Sequence, residues 1–174
     1  MKICIVDADV IIHLLEENLL YHLAKLGIIQ VATTVIGEVD GYTDPISLDW
    51  VPVDFRKAFV ESGVVTEVSA SSDDVAAVLV RMPKMGKGLD PGETESLAIV
   101  LRYEDVLFCS CDVAAIHALP YIDAAERGVS IEGAFRAFGG AIPKGSKLSI
   151  KFKEEYFQSN LRTARAKYVQ NPPK

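Results

Sequence analysis

Short apolar runs alternate with segments whose apolar residues recur at helical spacing along most of this chain. KICIV is a β-rich run that stops at Asp7, and Val10, Leu14 and Leu15 then share one helical face that Asp9 is placed to cap. A second helical stretch over 19–26 ends at Gly27, a residue suited to the left-handed conformation that closes a helix. IIQVA reads as the next strand, and Thr33 or Thr34 as the cap of a short helix carrying Val35, Glu38 and Val39. GYTDP reads as a turn, 46–50 as loop, 54–62 as helix before Gly63, and VVTEVSA as an alternating strand.

SSDDVAAVLVRM opens with capping residues and with acids that complement a helix dipole. MPKMGKGLDPG interrupts it and delivers Pro91 to the first turn of a helix whose Leu97, Val100 and Leu101 face inward. VLFCSCD is a strand ended by Asp112, and DVAAIHAL is helical. LPYIDAAERGVS fits neither period, IEGAFRAFGG is a helix ended by glycines, and PKGSK is a turn. Phe152, Tyr156, Leu161 and Tyr168 mark the apolar side of a last helix, with Arg162, Arg165 and Lys167 nearby. Strands alternating with helices predict an α/β fold, a mainly parallel sheet covered on both faces.

At 174 residues and 49% hydrophobic content the chain can bury one full core. Residues 1–143 read as the main domain and 144–174 as a basic helical extension packed on it or continuing it. There is no run of about 18 apolar residues and no signal-peptide pattern, so the expected location is cytoplasmic and no membrane partner is expected. Cys4, Cys109 and Cys111 read as buried reduced thiols, since they are few, odd in number and not spaced as zinc ligands. The net charge of −6 hides an asymmetry, with −12 over 1–143 and +6 over 144–174. An acidic body binds nucleic acid poorly, whereas a basic extension can meet phosphates. Arg162, Arg165 and Lys167 are therefore the candidate nucleic-acid contacts.

Four acids stand where strand-like sequence gives way to helix or where a helix begins: Asp7, Glu38, Glu93 and Asp112. The carboxyl ends of parallel strands open on one crevice, so acids far apart in sequence can meet there. Two carboxylates about 4 Å apart repel by roughly 4 kcal/mol at an effective dielectric near 20, and a hard divalent cation with oxygen ligands relieves such crowding. Taken singly, each acid also has a plain reading: a solvated helix residue for Glu38, dipole compensation for Glu93, a cap for Asp112. His13, His22 and His117 read as surface or packing residues, and PKMGKG lacks P-loop spacing.

IVDADVIIHL, TTVIGEV, PGETESLAIVL and CSCDVAAIHAL, in that order and spanning nearly the whole chain, resemble the four acidic motifs of the PIN-domain family of metal-dependent nucleases. The resemblance implies a three-layer α/β/α sandwich around a twisted parallel sheet and hydrolysis of RNA phosphodiester bonds. It implies Asp7, Glu38, Glu93 and Asp112 as catalytic ligands of Mg²⁺ or Mn²⁺. Asp9, where many members carry a small polar residue, is a candidate auxiliary ligand, and Glu95 a nearby acid of unassigned role. Many bacterial and archaeal members are ribonuclease toxins of toxin–antitoxin systems, so an antitoxin protein and a second copy of the chain are candidate partners. The basic extension, and Val113 after Asp112, depart from the shorter toxins. Two alternatives are a noncatalytic PIN-like module binding RNA or protein, and a phosphatase similar to the haloacid dehalogenases, with Asp7 as nucleophile and Asp9 as acid/base. Against the latter, Ile11 stands where Thr or Val is expected.

Overall fold

The structure, a computed structural model, describes residues 3–82, 88–170 and 172. The helix-interrupting loop read from MPKMGKGLDPG falls in part on 83–87, outside the described residues, as does most of PKMGKG. The fold is the expected α/β/α arrangement, a five-stranded sheet flanked by helices. Its strands are β1 (Ile3–Val6), β2 (Ile28–Ala32), β5 (Thr66–Val68), β6 (Val106–Cys109) and β7 (Gly128–Val129). They lie in the order β5-β2-β1-β6-β7 with every neighbouring pair parallel. From β1 the chain first builds outward through β2 and β5, then returns to the other side of β1 with β6 and β7. The order therefore reverses between β1 and β6, and the crevice at such a reversal is where open parallel sheets place ligands.

The central strands are apolar almost throughout because helices cover both faces. Cys4, Ile5, Val6, Phe108 and Cys109 are fully buried. Helix α5 (Pro91–Arg102) lies against β1, β2 and β6 with Leu97, Ala98, Ile99 and Val100 buried. It packs beside α4 (Ser72–Arg81), which starts from the expected cap: Ser71 accepts from the Asp74 N–H, and the Asp74 carboxylate answers to the Ser71 backbone. The first helices are α1 (Ala8–Glu16), α2 (Leu20–Ala24) and α3 (Thr33–Glu38); α6 (Val113–Ala118), α7 (Ile131–Ala137) and α8 (Glu154–Gln170) follow β6. No helix among the described residues is long and apolar enough to cross a membrane.

Several local expectations change. GYTDP and the end of the expected loop form an antiparallel hairpin, β3 (Gly41–Thr43) with β4 (Trp50–Pro52). Helix α2 stops at Ala24, and Gly27 serves close approach rather than a left-handed turn, since a Cβ there would stand 2.6 Å from the Phe138 ring. The unreadable stretch after α6 is a tight helical turn, Leu119–Ile122, ended by Asp123 at φ 56° and followed by β7. Helix α8 buries Phe157, Leu161 and Ala164 against α6 and that turn, and Tyr168 meets Tyr121 edge-on at 5.1 Å. Phe152 lies before α8 in the short turn Ile150–Phe152 and Tyr156 is only half-buried, so the buried face of the helix begins at Phe157. All three cysteines are free and buried, but Cys111 lies beyond the end of β6.

Candidate functional site

Asp7 is the first residue past β1, and its backbone N–H still donates to the Cys109 carbonyl of β6 at 3.2 Å. This fixes it at the mouth of the crevice. It, and not Asp9, caps α1, accepting from the Ala8 N–H at 2.8 Å on Oδ1 while the Ser110 hydroxyl donates to Oδ2 at 2.8 Å. With extended backbone at the strand end, Asp7 already has the conformation a cap requires, and Asp9 falls inside the first turn. Burial pushes the Asp7 carboxyl up to about 6, against the lowering effect of those two hydrogen bonds, and repulsion from Asp90 and Asp9 adds to the rise.

Glu93 enters the same crevice from the start of α5. Asp90 accepts from the Glu93 N–H at 2.7 Å, and the Asp90 N–H donates to Glu93 Oε2 at 3.0 Å, a reciprocal cap with Pro91 at the first helical position. Burial pushes Glu93 up to about 8; the bond from Asp90 opposes this, while repulsion from Asp112, Asp90 and Asp7 reinforces it.

Asp112 stands three residues beyond β6, half-buried, and caps α6 by accepting from the Ala114 and Ala115 N–H groups at 2.6 and 3.1 Å. Ser110 binds both sides of the crevice, since its hydroxyl donates to Asp7 and accepts from the Asp112 N–H at 3.0 Å. Glu38 is exposed at the end of α3 and leans on the start of α5. Desolvation raises its pKa first, repulsion from Asp90 and Asp7 next, and the Gly92 N–H lowers it. A Cβ at Gly92 would stand 2.6 Å from Glu38 Oε2, so only glycine admits this contact.

All four expected acids therefore occupy one edge, where Asp7 raises the proton affinity of Glu38 and Glu93, and Asp112 adds to that of Glu93. Two residues not singled out in the sequence belong with them. Asp90 repels Asp7, Glu38 and Glu93 alike, and Ser110 ties Asp7 to Asp112. The spacing of Asp90-Pro91 to Glu93 is a capping signature that could have drawn attention to Asp90. Ser110 carries no comparable signal.

Glu95 has a structural task. It accepts from the Thr34 N–H at 2.8 Å and the Ala70 N–H at 3.2 Å, tying the start of α3 and the approach to α4 onto α5. The expected Thr33 or Thr34 side-chain cap of α3 is absent, and Glu95 supplies an acceptor there instead. Asp9 lies at the outer side of the edge, paired with Lys151 at 3.0 Å. His22 is exposed, whereas His13 and His117 are buried. Arg162 and Lys167 are exposed on α8, and Arg165 is paired with Glu126 at 2.5 Å.

The acids fit Mg²⁺ or Mn²⁺ in donor type, being carboxylate oxygens, and in electrostatics, since two buried carboxyl groups stand among further acids. They do not form a finished cage: among the described residues no three His, Cys, Asp or Glu side chains are gathered as a metal-ligating group. Hydrogen bonds already engage both oxygens of Asp7 and one of Glu93. No family model, curated protein or solved structure matches the chain.

Proposed function

We propose that the chain is a metal-dependent endoribonuclease working at the crevice between β1 and β6. The observation that carries this reading is the meeting of buried Asp7 and Glu93 at the sheet's reversal point, with Asp90 close enough to raise the proton affinity of both and Asp112 that of Glu93. The resemblance of the four acidic motifs to PIN-domain nucleases supports the same reading. Asp7, Glu93 and Asp112 would hold the cation, with Glu38 at the rim. When bound, a hard divalent cation supplies positive charge against a phosphodiester oxygen and acidifies an attacking water. Ser110 and the Ala8 N–H orient Asp7, the Asp90 cap orients Glu93, and Gly92 lets Glu38 approach. No histidine is required as a base, since a carboxylate of the edge can itself accept a proton from water.

The test is cleavage of a single-stranded RNA oligonucleotide in Mg²⁺ or Mn²⁺, with chelator as control. Cleavage should stop in chelator and be lost in the Asp7→Ala, Glu93→Ala and Asp112→Ala proteins while their circular dichroism stays that of the parent. RNA bound but never cut would contradict the nuclease reading and leave a binding module. The resemblance extends to toxins, and a small adjacent gene whose product blocks cleavage would support that extension.

A further inference from the structure

The segment between α7 and α8 is laid along α1 as a strap. Asp9, His13 and Glu17, four residues apart, lie above one another on the helix, and each holds one point of it. Glu17 accepts from the Lys147 N–H at 2.6 Å, and His13 Nε2 from the Ser149 N–H at 3.4 Å. The His13 ring stacks on Phe152 at 4.0 Å and 7°. Asp9 Oδ2 meets Lys151 Nζ at 3.0 Å, and the Cys111 thiol, next to Asp112, lies 3.8 Å from the same oxygen. Among the described residues this is the only ion pair that reaches any of Asp7, Asp9, Glu38, Glu93 and Asp112. The pair is open, with the Lys151 and Asp9 side chains 46% and 58% exposed.

A polyanion approaching an acidic edge needs a cation at its entrance, and among the described residues Lys151 is the one paired with an acid there. The cations of α8 instead share a helix packed on α6, one of them tied to Glu126. We propose that Lys151 is the entry residue for substrate: a backbone phosphate of single-stranded RNA replaces the Asp9 carboxylate on its ammonium, and the strap, carrying Lys147 and Lys153 as well, leads the strand to the crevice. This rests on the nuclease reading for the substrate's identity. Asp9 is then a competitor that occupies Lys151 until RNA arrives.

Opposite signs test it. Binding of a fluorescent single-stranded RNA to the full chain is followed by anisotropy in chelator at several salt concentrations. Lys151→Gln should raise Kd about fivefold and flatten the logarithmic salt slope by roughly 0.7, the release expected from one phosphate contact on a single strand. Lys151→Arg should restore most of the affinity. Asp9→Asn, which removes the competitor, should tighten binding. The remaining strap contacts to Glu17 and His13 leave both variants able to fold. If Lys151→Gln and Asp9→Asn weaken binding alike, the pair is only a clasp and the proposal is overturned. Unchanged affinity in Lys151→Gln, or a parent chain that does not bind RNA, overturns it too. Since no cleavage is read, failure of the nuclease reading shows separately, as a chain that binds RNA through Lys151 yet cuts none in Mg²⁺.

Discussion

Asp7 and Glu93 lie inside the carboxyl edge, each 5% exposed, whereas Asp112 is half-buried and Glu38 open to solvent on the same edge. All four are acids at element ends, so position alone does not separate them. Burial does. The inner pair is pushed up to about 6 and about 8, into the range where protons exchange near neutral pH, while Asp112 spends one oxygen on capping α6. The inner acids carry the electrostatic load of the site, and the rim acids offer reachable oxygens. A cation at the edge should therefore matter most to the inner pair.

The contrast breaks most visibly with Glu93→Gln. Metal-dependent cleavage should fall by at least about 100-fold, the scale on which loss of a catalytic electrostatic group shows. The metal-free variant should nonetheless melt above the parent at pH 8, because the burial cost of that charge is gone. A variant that keeps its activity would place Glu93 outside the chemistry.

Next in size is the pH dependence of the metal-free fold. Below about pH 4 both inner acids are protonated whether the chain is folded or not, and they contribute no difference. From there to about pH 8 the folded state retains protons that the unfolded chain has lost, so stability falls as pH rises. For Asp7 alone, a rise from 3.8 to about 6 corresponds to about 3 kcal/mol. His117, held below its ordinary value by burial and then by Lys167, works in the opposite direction near pH 6.5. The parent should melt lower at pH 8 than at pH 5.5, and the Asp7→Asn/Glu93→Gln double variant should lose that decline. An equal decline in both would assign the dependence to other groups.

Glu95 sharpens the contrast by lying two residues from Glu93 with a different task. Glu95→Ala leaves the Thr34 and Ala70 N–H groups without their acceptor and should destabilise the fold by about 2 kcal/mol, or about 4–8 °C in Tm at this chain length. The gain in Tm on adding Mn²⁺ should match the parent's. Smallest is Gly92→Ala, whose methyl displaces Glu38 at the rim. It should slow cleavage about tenfold, the order seen when a supporting contact is lost, and shift Tm little, because alanine's better helix propensity offsets part of the strain.

The alternation of apolar runs and helical spacing made the parallel sheet legible, and the positions of Asp7, Glu38, Glu93 and Asp112 followed from it. What stayed hidden depends on contacts between distant segments. Asp9 looked like the cap of α1, but the extended backbone at the end of β1 gives that place to Asp7. Glu95 takes its role from Thr34 and Ala70, residues brought to it only by folding. Ser110 acts through a hydrogen bond to a residue 103 positions away, and no local pattern announces it. GYTDP carries turn residues, yet its first three pair with 50–52 as a hairpin, tertiary context overriding local preference.

Calorimetric titration of Mn²⁺ into the metal-free protein at pH 7, repeated in two buffers of different ionisation enthalpy, addresses the cation most directly. Glu93, pushed up to about 8, holds its proton at that pH in the free protein and must release it to become a ligand. The expected result is saturable binding with release of about one proton, both diminished in Glu93→Gln. No binding at millimolar Mn²⁺, or binding with the same proton release in parent and Glu93→Gln, would contradict a metal site at this edge.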